Sequence, residues 1–416
     1  MDLALFCHSL LSDWNHGNAH FLRGVVTELA ARGARVRVFE PRAGWSFENL
    51  QKEPGGPAAL EEVLAVYPAV RPIRYELSTL DLDAALDGVD LVLVHEWSDH
   101  ALVKAIGERR ARRGRFKLLF HDTHHRGLTD ERAMAAYELS HYDGVLAFGS
   151  VLRDLYLRRG WAQRAWTWHE AADTRVFAPG GGPALGALSG PAVDGDEVDL
   201  VWIGNWGDEE RTAELREFLL EPVRALGLRG VAYGVRYPDE ARAALAQAGI
   251  EYRGWLPNHR VPLAFARAKV TIHVPRRPYA RALPGIPTIR PFEAMACGIP
   301  LVSAPWTDSE GLFTPGKDFL MARDGAEMTR LLREMLGNAP FRRAVASHAQ
   351  ATIQARHTCR HRVDRLLSIC GEIGVEGTPN RPAVPDWNQQ PTRGSRVEPE
   401  DVPGGGALPR AQWSRG

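Results

Sequence analysis

The sequence is poor in cysteine, carries no excess of charge of either sign and contains no long apolar run. Its four cysteines (Cys7, Cys297, Cys359 and Cys370) lie far apart without a CxxC pair, which argues against a disulfide framework and a cysteine zinc site. The 51 Lys and Arg residues balance 51 Asp and Glu residues. The chain therefore has no bulk field that would attract nucleic acid or an anionic membrane.

We expect neither a membrane span nor a secretory signal from this sequence. No stretch approaches the roughly 20 apolar residues that cross a bilayer. The apolar run that follows Met1 has no basic region before it, unlike a secretory signal. We expect a cytoplasmic protein with no integral membrane segment and no nucleic-acid partner.

Lysine is scarce as well. Only five of the 51 basic residues are lysines, which leaves 46 arginines. A single arginine in a motif is therefore weaker evidence of function than it would be in a chain of ordinary composition. The 416 residues favour two or three domains at roughly 100 to 200 residues per domain.

The first 178 residues predict a Rossmann-like domain. The apolar runs at 2–7, 35–40, 90–96, 117–122 and 143–149 are typical of buried parallel strands because they lack apolar and polar alternation. A helical pattern at 21–30 separates the first two runs, which predicts a right-handed βαβ unit. Loops are expected in this domain between the apolar runs, for example at 41–80.

A second α/β series follows a segment rich in Gly and Pro. Residues 179–197 predict a linker, and 198–337 again alternate apolar runs with helical patterns. Residues 338–370 form a helical pattern that can cross back to the first domain, and 371–416 are expected to be a disordered tail. The predicted fold class is α/β, with two Rossmann-like doubly wound domains facing a central cleft.

The first polar constellation is the loop at 13–20, which contains His16, Gly17 and Asn18. It follows the first strand and precedes a helix, so its backbone N–H groups can meet a phosphate or a sugar hydroxyl. The loop lacks GxGxxG, which argues against a dinucleotide cofactor. The alternative is a plain turn.

The second constellation contains Asp122, His124 and His125 at the end of a predicted strand, beside His121. Three histidines and an aspartate can bind a metal, but adjacent residues of an extended chain point to opposite faces. Histidine also suits a general base or a hydrogen bond to substrate hydroxyls. Substrate contact, a metal site and a structural role all remain open.

Two more constellations lie in the second domain. Gly204 and Asn205 follow a predicted strand, and Arg211 at the next helix start can bind a diphosphate unless it is an ordinary surface residue. In the run 288–300, Pro291 suits the first helical position and Gly298 the position after the helix. Glu293 then falls in the first turn, where it either complements the helix dipole or accepts bonds from vicinal hydroxyls such as those of a ribose.

This last run carries a family resemblance. The segment RPFEAMACGIPLVSAPW resembles the FEAMACGxPLV signature of GT-B glycosyltransferases, the glycosyl transferases of group 1 or family 4-like type, and with the preceding PTI it is similar to the CgeB-like branch. HGNAHFLRGVVTELAARGARVRVFE, WHEAADTRVFAP and VDLVWIGNWGDEER resemble further segments of these enzymes in the same order. The resemblance extends over about residues 1 to 365.

The resemblance implies a glycosyltransferase that uses a nucleotide-diphosphate sugar. The C-terminal domain would hold the donor, with Glu293 at its ribose, Gly204, Asn205 and Arg211 at the diphosphate, and Arg290 or Arg276 supplying further charge. The N-terminal domain would hold the acceptor near His16, Gly17 and Asn18. His124 is the leading catalytic candidate, followed by Asp122 and His125.

The resemblance also bears on metal and stereochemistry. Fixed hydrogen-bond donors in a closed cleft can stabilise the departing diphosphate, so we expect no cofactor and no metal. We read neither DxD string as a metal site, because 81–83 lies at a predicted helix start and 194–196 lies in the predicted linker. Retention of configuration is implied only at the family level, because Gly285 stands where many retaining relatives carry a second Glu, eight residues before Glu293.

Two alternatives share this architecture. One is a nucleotide-sugar epimerase, and the other is a catalytically degenerate carbohydrate-binding protein. The sequence leaves open the donor sugar and base, as well as the acceptor, which can be a glycan, a lipid-linked sugar, a protein or a small molecule.

Overall fold

The computed structural model describes residues 1–188, 197–207 and 209–375. The N-terminal half contains a seven-stranded parallel sheet in the order β3-β2-β1-β4-β5-β6-β7. Its strands are β1 (Asp2–Phe6), β2 (Arg35–Pro41), β3 (Ile73–Tyr75), β4 (Leu91–His95), β5 (Lys117–Asp122), β6 (Gly144–Ala147) and β7 (Ala165–Thr167). Strands β1, β4, β5 and β6 are almost entirely buried, as the unbroken apolar runs predicted.

The C-terminal half repeats this arrangement with a six-stranded parallel sheet in the order β10-β9-β8-β11-β12-β13. Its strands are β8 (Val198–Ile203), β9 (Gly230–Tyr233), β10 (Ile250–Tyr252), β11 (Ala268–His273), β12 (Leu301–Ser303) and β13 (Leu320–Met321). In both sheets the order of the strands reverses beside the first strand of the sheet, which is the doubly wound order. The predicted fold class of two Rossmann-like domains is confirmed.

Helices connect and cover the strands. In the first half they are α1 (Ala19–Ala31), α2 (Trp45–Lys52), α3 (Gly56–Val66), α4 (Leu82–Ala85), α5 (His100–Arg113), α6 (Arg126–Thr129), α7 (Glu131–Ala135) and α8 (Ser150–Arg158). In the second they are α9 (Thr212–Leu215), α10 (Glu221–Leu226), α11 (Asp239–Gln247), α12 (Val261–Ala266), α13 (Arg277–Ala282), α14 (Ile289–Ala296), α15 (Gly325–Gly337), α16 (Ala339–Arg356) and α17 (Cys359–Glu372). A π-helical turn, Arg216–Leu220, joins α9 to α10.

The last helix returns to the first half of the chain. In α17, Asp364 accepts a hydrogen bond from Arg32 at 2.6 Å, and the carbonyl oxygen of Arg362 accepts one from Trp168 Nε1 at 2.8 Å. Gly24 allows α1 to approach this closely, because a Cβ there would lie 2.5 Å from Cys359 Sγ. Helix α17 ends at Glu372, beyond the predicted start of the tail. The remainder of the predicted tail, 376–416, and the linker residues 189–196 lie outside the described residues.

The region 41–80, expected to form loops, contains α2, α3 and β3. Gly55, with a φ of +79°, lies between α2 and α3 and is the N-cap of α3. In the part of the chain that the structure describes, no helix has both the length and the apolar character needed to span a bilayer.

Candidate active site

A cleft of about 670 Å³ lies between the two sheets and is lined by residues from both halves. Most of its lining residues come from segments that follow strands: on the N-terminal side they include His16, Trp97, His124 and Glu170, and on the C-terminal side Gly204, Val235, Trp255 and Arg276. The carboxyl ends of parallel strands share one edge of a sheet, and ligands of doubly wound proteins bind there. The topology thus explains why residues distant in sequence meet.

Backbone strain concentrates at this cleft. Asn15, Arg236 and Thr288 have φ values of 52°, 61° and 61°, a region that residues other than glycine seldom adopt, and all three line the cleft. Thr288 pairs this φ with a ψ of −178°, a combination that is nearly exclusive to glycine. Such conformations cluster at ligand-binding sites, because surrounding structure must hold them in place.

The predicted catalytic residues are brought together at the end of β5, but only His124 lines the cleft. Asp122 is buried, where its Oδ1 accepts the backbone N–H of His124 at 2.9 Å and its Oδ2 accepts the Tyr156 hydroxyl at 2.8 Å. His125 lies beside His124, with ring centroids 4.0 Å apart, and its Nδ1 is 2.8 Å from Thr129 Oγ1. Asp122 and His125 therefore support His124 rather than face a ligand.

Burial keeps the histidines of the cleft neutral. The pKa of His124 is well below its ordinary value because of desolvation, with the charges of Arg126 and Arg276 acting in the same direction. Desolvation also lowers the pKa of His8 to about 4 and that of His16 well below its usual range. Across the described residues, no group of three or more His, Cys, Asp or Glu side chains is arranged to hold a metal ion.

The first loop meets a carboxyl group that sequence reasoning missed. His16, Gly17 and Asn18 all line the cleft, as does Glu170, whose Oε1 accepts a hydrogen bond from Asn18 Nδ2 at 2.7 Å. Burial raises the pKa of Glu170 to about 8, and the negative charge of Glu293 adds to this effect. Glu170 is thus predominantly protonated at neutral pH. It lies in the WHEAADTRVFAP segment, so attention to that segment's polar residues would have found it.

Arg211, at the N-cap position of α9, is half-buried in the cleft wall. It donates hydrogen bonds to the carbonyl oxygens of Val274, at 3.0 Å, and Asn205. Gly204 and Gly207 make room for this side chain, because a Cβ at Gly207 would lie 2.8 Å from Arg211 and one at Gly204 would lie 3.3 Å from it. Arg211 is therefore fixed at the cleft by backbone acceptors, and its role at a diphosphate stays a prediction.

Two further arginines act on Arg211. Desolvation, followed by the charges of Arg276 and Arg290, lowers the pKa of Arg211 to about 9. Arg276 has an ion pair with Glu210 at 3.0 Å, and Arg290 pairs with Glu293. Among the described residues, Arg211 itself has no carboxylate within ion-pair distance.

Gly204 and Asn205 lie opposite the first loop. The Gly204 carbonyl oxygen accepts the Tyr237 hydroxyl at 2.6 Å, and Asn205 Oδ1 accepts the backbone N–H of Val235 at 3.0 Å. Asn205 Nδ2 donates to Asn15 Oδ1 across the cleft. The predicted diphosphate loop therefore joins the two sides of the cleft directly.

Glu293 lies beneath the cleft surface instead of on its wall. Its side chain is completely buried, with Oε1 2.8 Å from Asn258 Nδ2 and 2.9 Å from His20 Nδ1, while Oε2 accepts from Arg290. The backbone N–H of Asp173 donates to His20 Nε2 at 3.0 Å, so the ring proton of neutral His20 is on Nδ1 and faces Glu293. The carboxylate links both halves of the chain.

The predicted position of Glu293 in its helix is corrected. Helix α14 begins at Ile289, two residues before Pro291, with Thr288 as its N-cap. Glu293 consequently lies in the second turn, where the helix dipole offers it little. Burial would raise the pKa of Glu293, but the charge of Arg290 and the contacts of His20 and Asn258 outweigh it and hold the pKa below its ordinary value. Gly298 follows the helix with a φ of 67°, as predicted.

The position where a second Glu was expected cannot hold one in this arrangement. Gly285 has a φ of 91°, and a Cβ there would lie 2.8 Å from both Glu310 Cγ and Ser309 Oγ. Glu310 fills this space, and its carboxylate contacts His169 at 3.1 Å and the backbone N–H of Ser150 at 2.7 Å. Its carboxylate therefore connects to the first half of the chain.

Comparison with known proteins finds similarity to a protein family and to solved structures. Residues 211–368 match the family model described as glycosyl transferase-like. No curated protein sequence matches the chain.

Solved structures resemble the chain over nearly their whole length. Sucrose-phosphate synthase from Thermosynechococcus elongatus is 17% identical with a TM-score of 0.60, and the match covers 90% of this chain and 99% of that one. A glycosyltransferase from Rickettsia africae is 11% identical with a TM-score of 0.58, covering 89% and 98%. HepE from Anabaena in complex with UDP-glucose is 14% identical with a TM-score of 0.57, covering 89% and 100%.

These similarities confirm the predicted GT-B fold and show that residues 211–368 resemble a glycosyl transferase-like domain. The matching family has the broader description, so the CgeB-like branch stays a prediction. The roles assigned to individual site residues stay predictions too.

Proposed function

We propose that this glycosyltransferase, whose C-terminal half carries the glycosyl transferase-like domain, moves a sugar from a nucleotide-diphosphate sugar to an acceptor bound on the N-terminal side of the cleft. One observation carries the proposal. Arg211 is a half-buried cation that lines the cleft, donates to backbone carbonyl oxygens and feels the charges of Arg276 and Arg290.

A buried charge without a counter-charge is unfavourable, and a bound anion removes that cost. Arginine binds phosphate oxygens with two parallel hydrogen bonds. A diphosphate held at Arg211 would lie near Arg276 and Arg290, whose charges already act on Arg211. The donor diphosphate is thus the ligand that this wall of the cleft suits best.

The same arginines suit the chemistry. As the bond between the sugar and the diphosphate breaks, negative charge develops on the leaving group, and fixed positive groups in a closed cleft stabilise it. Our proposal therefore includes transfer with no requirement for a metal or cofactor, because arginine supplies the charge. Retention of configuration is part of the proposal through the family resemblance, and the anomeric configuration of the product tests it by NMR.

His124 is proposed to contact the transferred sugar or the acceptor. It reaches the cleft from the N-terminal side, and a neutral imidazole can both accept and donate a hydrogen bond. Asp122 and His125 are positioning residues in this proposal, because the carboxylate of Asp122 accepts the His124 backbone N–H and His125 packs on its ring.

Glu293 is proposed to bind the donor ribose. Since His20, Asn258 and Arg290 occupy its oxygens, ribose binding requires one of these contacts to be exchanged. Separation of the two halves would release His20. HepE has been solved with UDP-glucose, which supports uridine diphosphate sugars as the first probes.

The first test is a thermal-shift screen of nucleotide sugars, followed by calorimetry with UDP and an Arg211→Gln variant. A ligand at 100 times its Kd stabilises the folded state by about 2.7 kcal/mol. Glutamine can still donate to a carbonyl oxygen but carries no charge. We expect the affinity for UDP to fall roughly ten- to a hundredfold, since hydrogen bonds to charged groups contribute about 1.5 to 3 kcal/mol.

Arg330→Gln is the matched control, because Arg330 lies in α15 and pairs with Glu327 and Glu334 outside the cleft. Unchanged UDP affinity in Arg211→Gln would remove the proposed diphosphate site. Incubation with donor alone separates the alternatives: an epimerised sugar in the NMR spectrum indicates an epimerase, and binding without turnover on a broad acceptor panel indicates a degenerate carbohydrate-binding protein.

A further inference from the structure

We infer that the acceptor is a neutral carbohydrate, bound by stacking on Trp97 and Trp45 at the N-terminal side of the cleft. This inference rests on the proposed function and specifies the class of acceptor. It is carried by the placement of exposed tryptophans, the charge of this side of the cleft and its unpaired polar atoms.

The exposed tryptophans are the first observation. The structure describes ten tryptophans, and only Trp45 and Trp97 are largely exposed, at 47% and 43%. Both line the cleft. Single exposed apolar side chains are ordinary. Two exposed indole rings at one cleft are different, because together they leave a large apolar surface in contact with water beside a ligand site. Pyranose rings present an apolar face of C–H groups that stacks on such rings.

Trp97 is held in a fixed orientation. The guanidinium of Arg126 lies 3.9 Å from the centre of its indole ring and donates to Glu96 Oε2 at 3.0 Å. The His124 ring meets the indole edge-on, with centroids 5.2 Å apart. Trp97 is thus fixed by Arg126 and His124, while 43% of its surface stays exposed at the cleft and available to a ligand. Trp45 is steadied by an edge-on contact with Trp14, at 4.9 Å.

Charge is the second observation. Of the described residues that line the cleft, those numbered below 198 include no lysine or arginine, whereas the C-terminal side has four arginines, Arg211, Arg236, Arg276 and Arg290. The acids on the N-terminal side are Asp13, which is paired with Arg23 at 2.9 Å, and Glu170. A phosphorylated or carboxylated acceptor would therefore find no lysine or arginine among the described lining residues of this side, and Arg126, which stacks on Trp97, is already paired with Glu96 at 3.0 Å.

The third observation is a set of buried polar atoms without hydrogen-bond partners. Among the described residues these include His16 Nε2, Asn18 Oδ1 and His124 Nδ1, and all three side chains line the cleft. Buried polar atoms are normally paired. A hydroxyl group both donates and accepts, so the hydroxyls of a sugar can satisfy amide and neutral imidazole atoms alike.

Binding of unreactive sugars tests the inference apart from transfer. We would titrate the full chain with maltotriose, cellotriose, chitotriose and glucose 6-phosphate, each with and without saturating UDP, and follow binding by calorimetry and tryptophan fluorescence. We expect at least one neutral trisaccharide to bind and to change the fluorescence. Trp97→Ala should weaken this binding at least tenfold, and Trp45→Ala should weaken it less, while the affinity for UDP changes less than twofold.

Leu157→Ala is the matched control, because Leu157 is 42% exposed and lies outside the cleft; it should leave sugar affinity unchanged. Preference for glucose 6-phosphate over all neutral sugars would overturn the inference, as would sugar affinity that Trp97→Ala does not alter. Absence of UDP binding together with tryptophan-dependent sugar binding would reject the proposed donor site and retain the carbohydrate site.

Discussion

The two sides of the cleft differ in the charge of the side chains that line them. On the C-terminal side, Arg211 lines the cleft together with Arg236, Arg276 and Arg290. On the N-terminal side, histidines are held neutral by burial and Glu170 by a raised pKa. One side is therefore built for an anion and the other for an uncharged ligand. The difference separates two tasks: stabilising a charged leaving group and binding an acceptor without competing for the donor phosphates.

The two sides are nonetheless joined by polar contacts. Glu293 contacts His20, Asn205 contacts Asn15, and Glu310 contacts His169. Each contact pairs a residue of the second half with one of the first. Substitutions can therefore show whether a residue serves one side or holds the two together.

The largest effect is expected for His124→Ala. If His124 serves the transfer step alone, turnover of donor, measured as UDP release in the presence of an acceptor, should fall about 10²- to 10⁴-fold, the range typical of a lost acid or base group. Calorimetry should show unchanged affinity for UDP. His141→Ala, at an exposed position, is the control. Full activity would move the role to His125 or His121.

A large effect on stability is expected for Glu293→Ala. Removing one partner of a buried ionic contact typically costs about 3 to 5 kcal/mol, which denaturant unfolding would measure, and UDP affinity should fall as well. Because the folded-state pKa of Glu293 lies below its ordinary value, its stabilising contribution is present near neutral pH and lost as the pH falls through the folded-state pKa.

Glu293→Gln is the matched variant, since it retains an oxygen acceptor and removes the charge beside Arg290. Its stability should lie between those of the wild type and Glu293→Ala, with a weaker loss at acid pH. Wild-type stability together with wild-type UDP affinity in Glu293→Ala would exclude Glu293 from the donor site.

The smallest effect is expected for substitution of Glu170, and the measured quantity is the pH dependence of stability. This prediction tests whether Glu170 is uncharged on the N-terminal side of the cleft. Its folded-state pKa of about 8 exceeds the ordinary 4.5, so the folded protein binds this proton more tightly than the unfolded chain does. The resulting stability is fully present below pH 4.5 and is lost as the pH rises through about 8, at up to about 1.4 kcal/mol per pH unit.

Glu170→Gln resembles the protonated acid and can still accept from Asn18. Its unfolding free energy should therefore decline less than that of the wild type between pH 6 and 9, as measured by denaturant titration. Glu61→Gln, at an exposed position, should follow the wild type. Parallel pH profiles for wild type and Glu170→Gln would show that Glu170 is already ionised.

Much of this cleft follows from local patterns. The buried runs at β1, β4 and β8 were readable because parallel strands covered on both faces lose apolar and polar alternation. The polar residues that follow them were readable because strand ends of doubly wound sheets carry ligands. His16, Asn205, Arg211 and His124 all reach the cleft for this reason.

Other residues were missed because their roles depend on distant partners. Glu170 lies in a segment that carries the family resemblance, but its raised pKa arises from burial and from Glu293, 123 positions away. Trp97 looks like any apolar residue in sequence, and only the fold leaves it exposed beside the cleft. Helix α14 begins before Pro291 because a proline is tolerated throughout a first helical turn, where backbone N–H groups have no intrahelical partner.

The sequence by itself determined the two doubly wound halves, the order of their motifs and the family resemblance, because periodicity and short motifs are local properties of the chain. Only the tertiary structure decided that Glu293 lies beneath the cleft in contact with His20. It also decided that Gly285 faces Glu310 and that the arginines line one side only. Burial, pairing and the sign of a surface depend on residues that meet across hundreds of positions, and only folding brings them together.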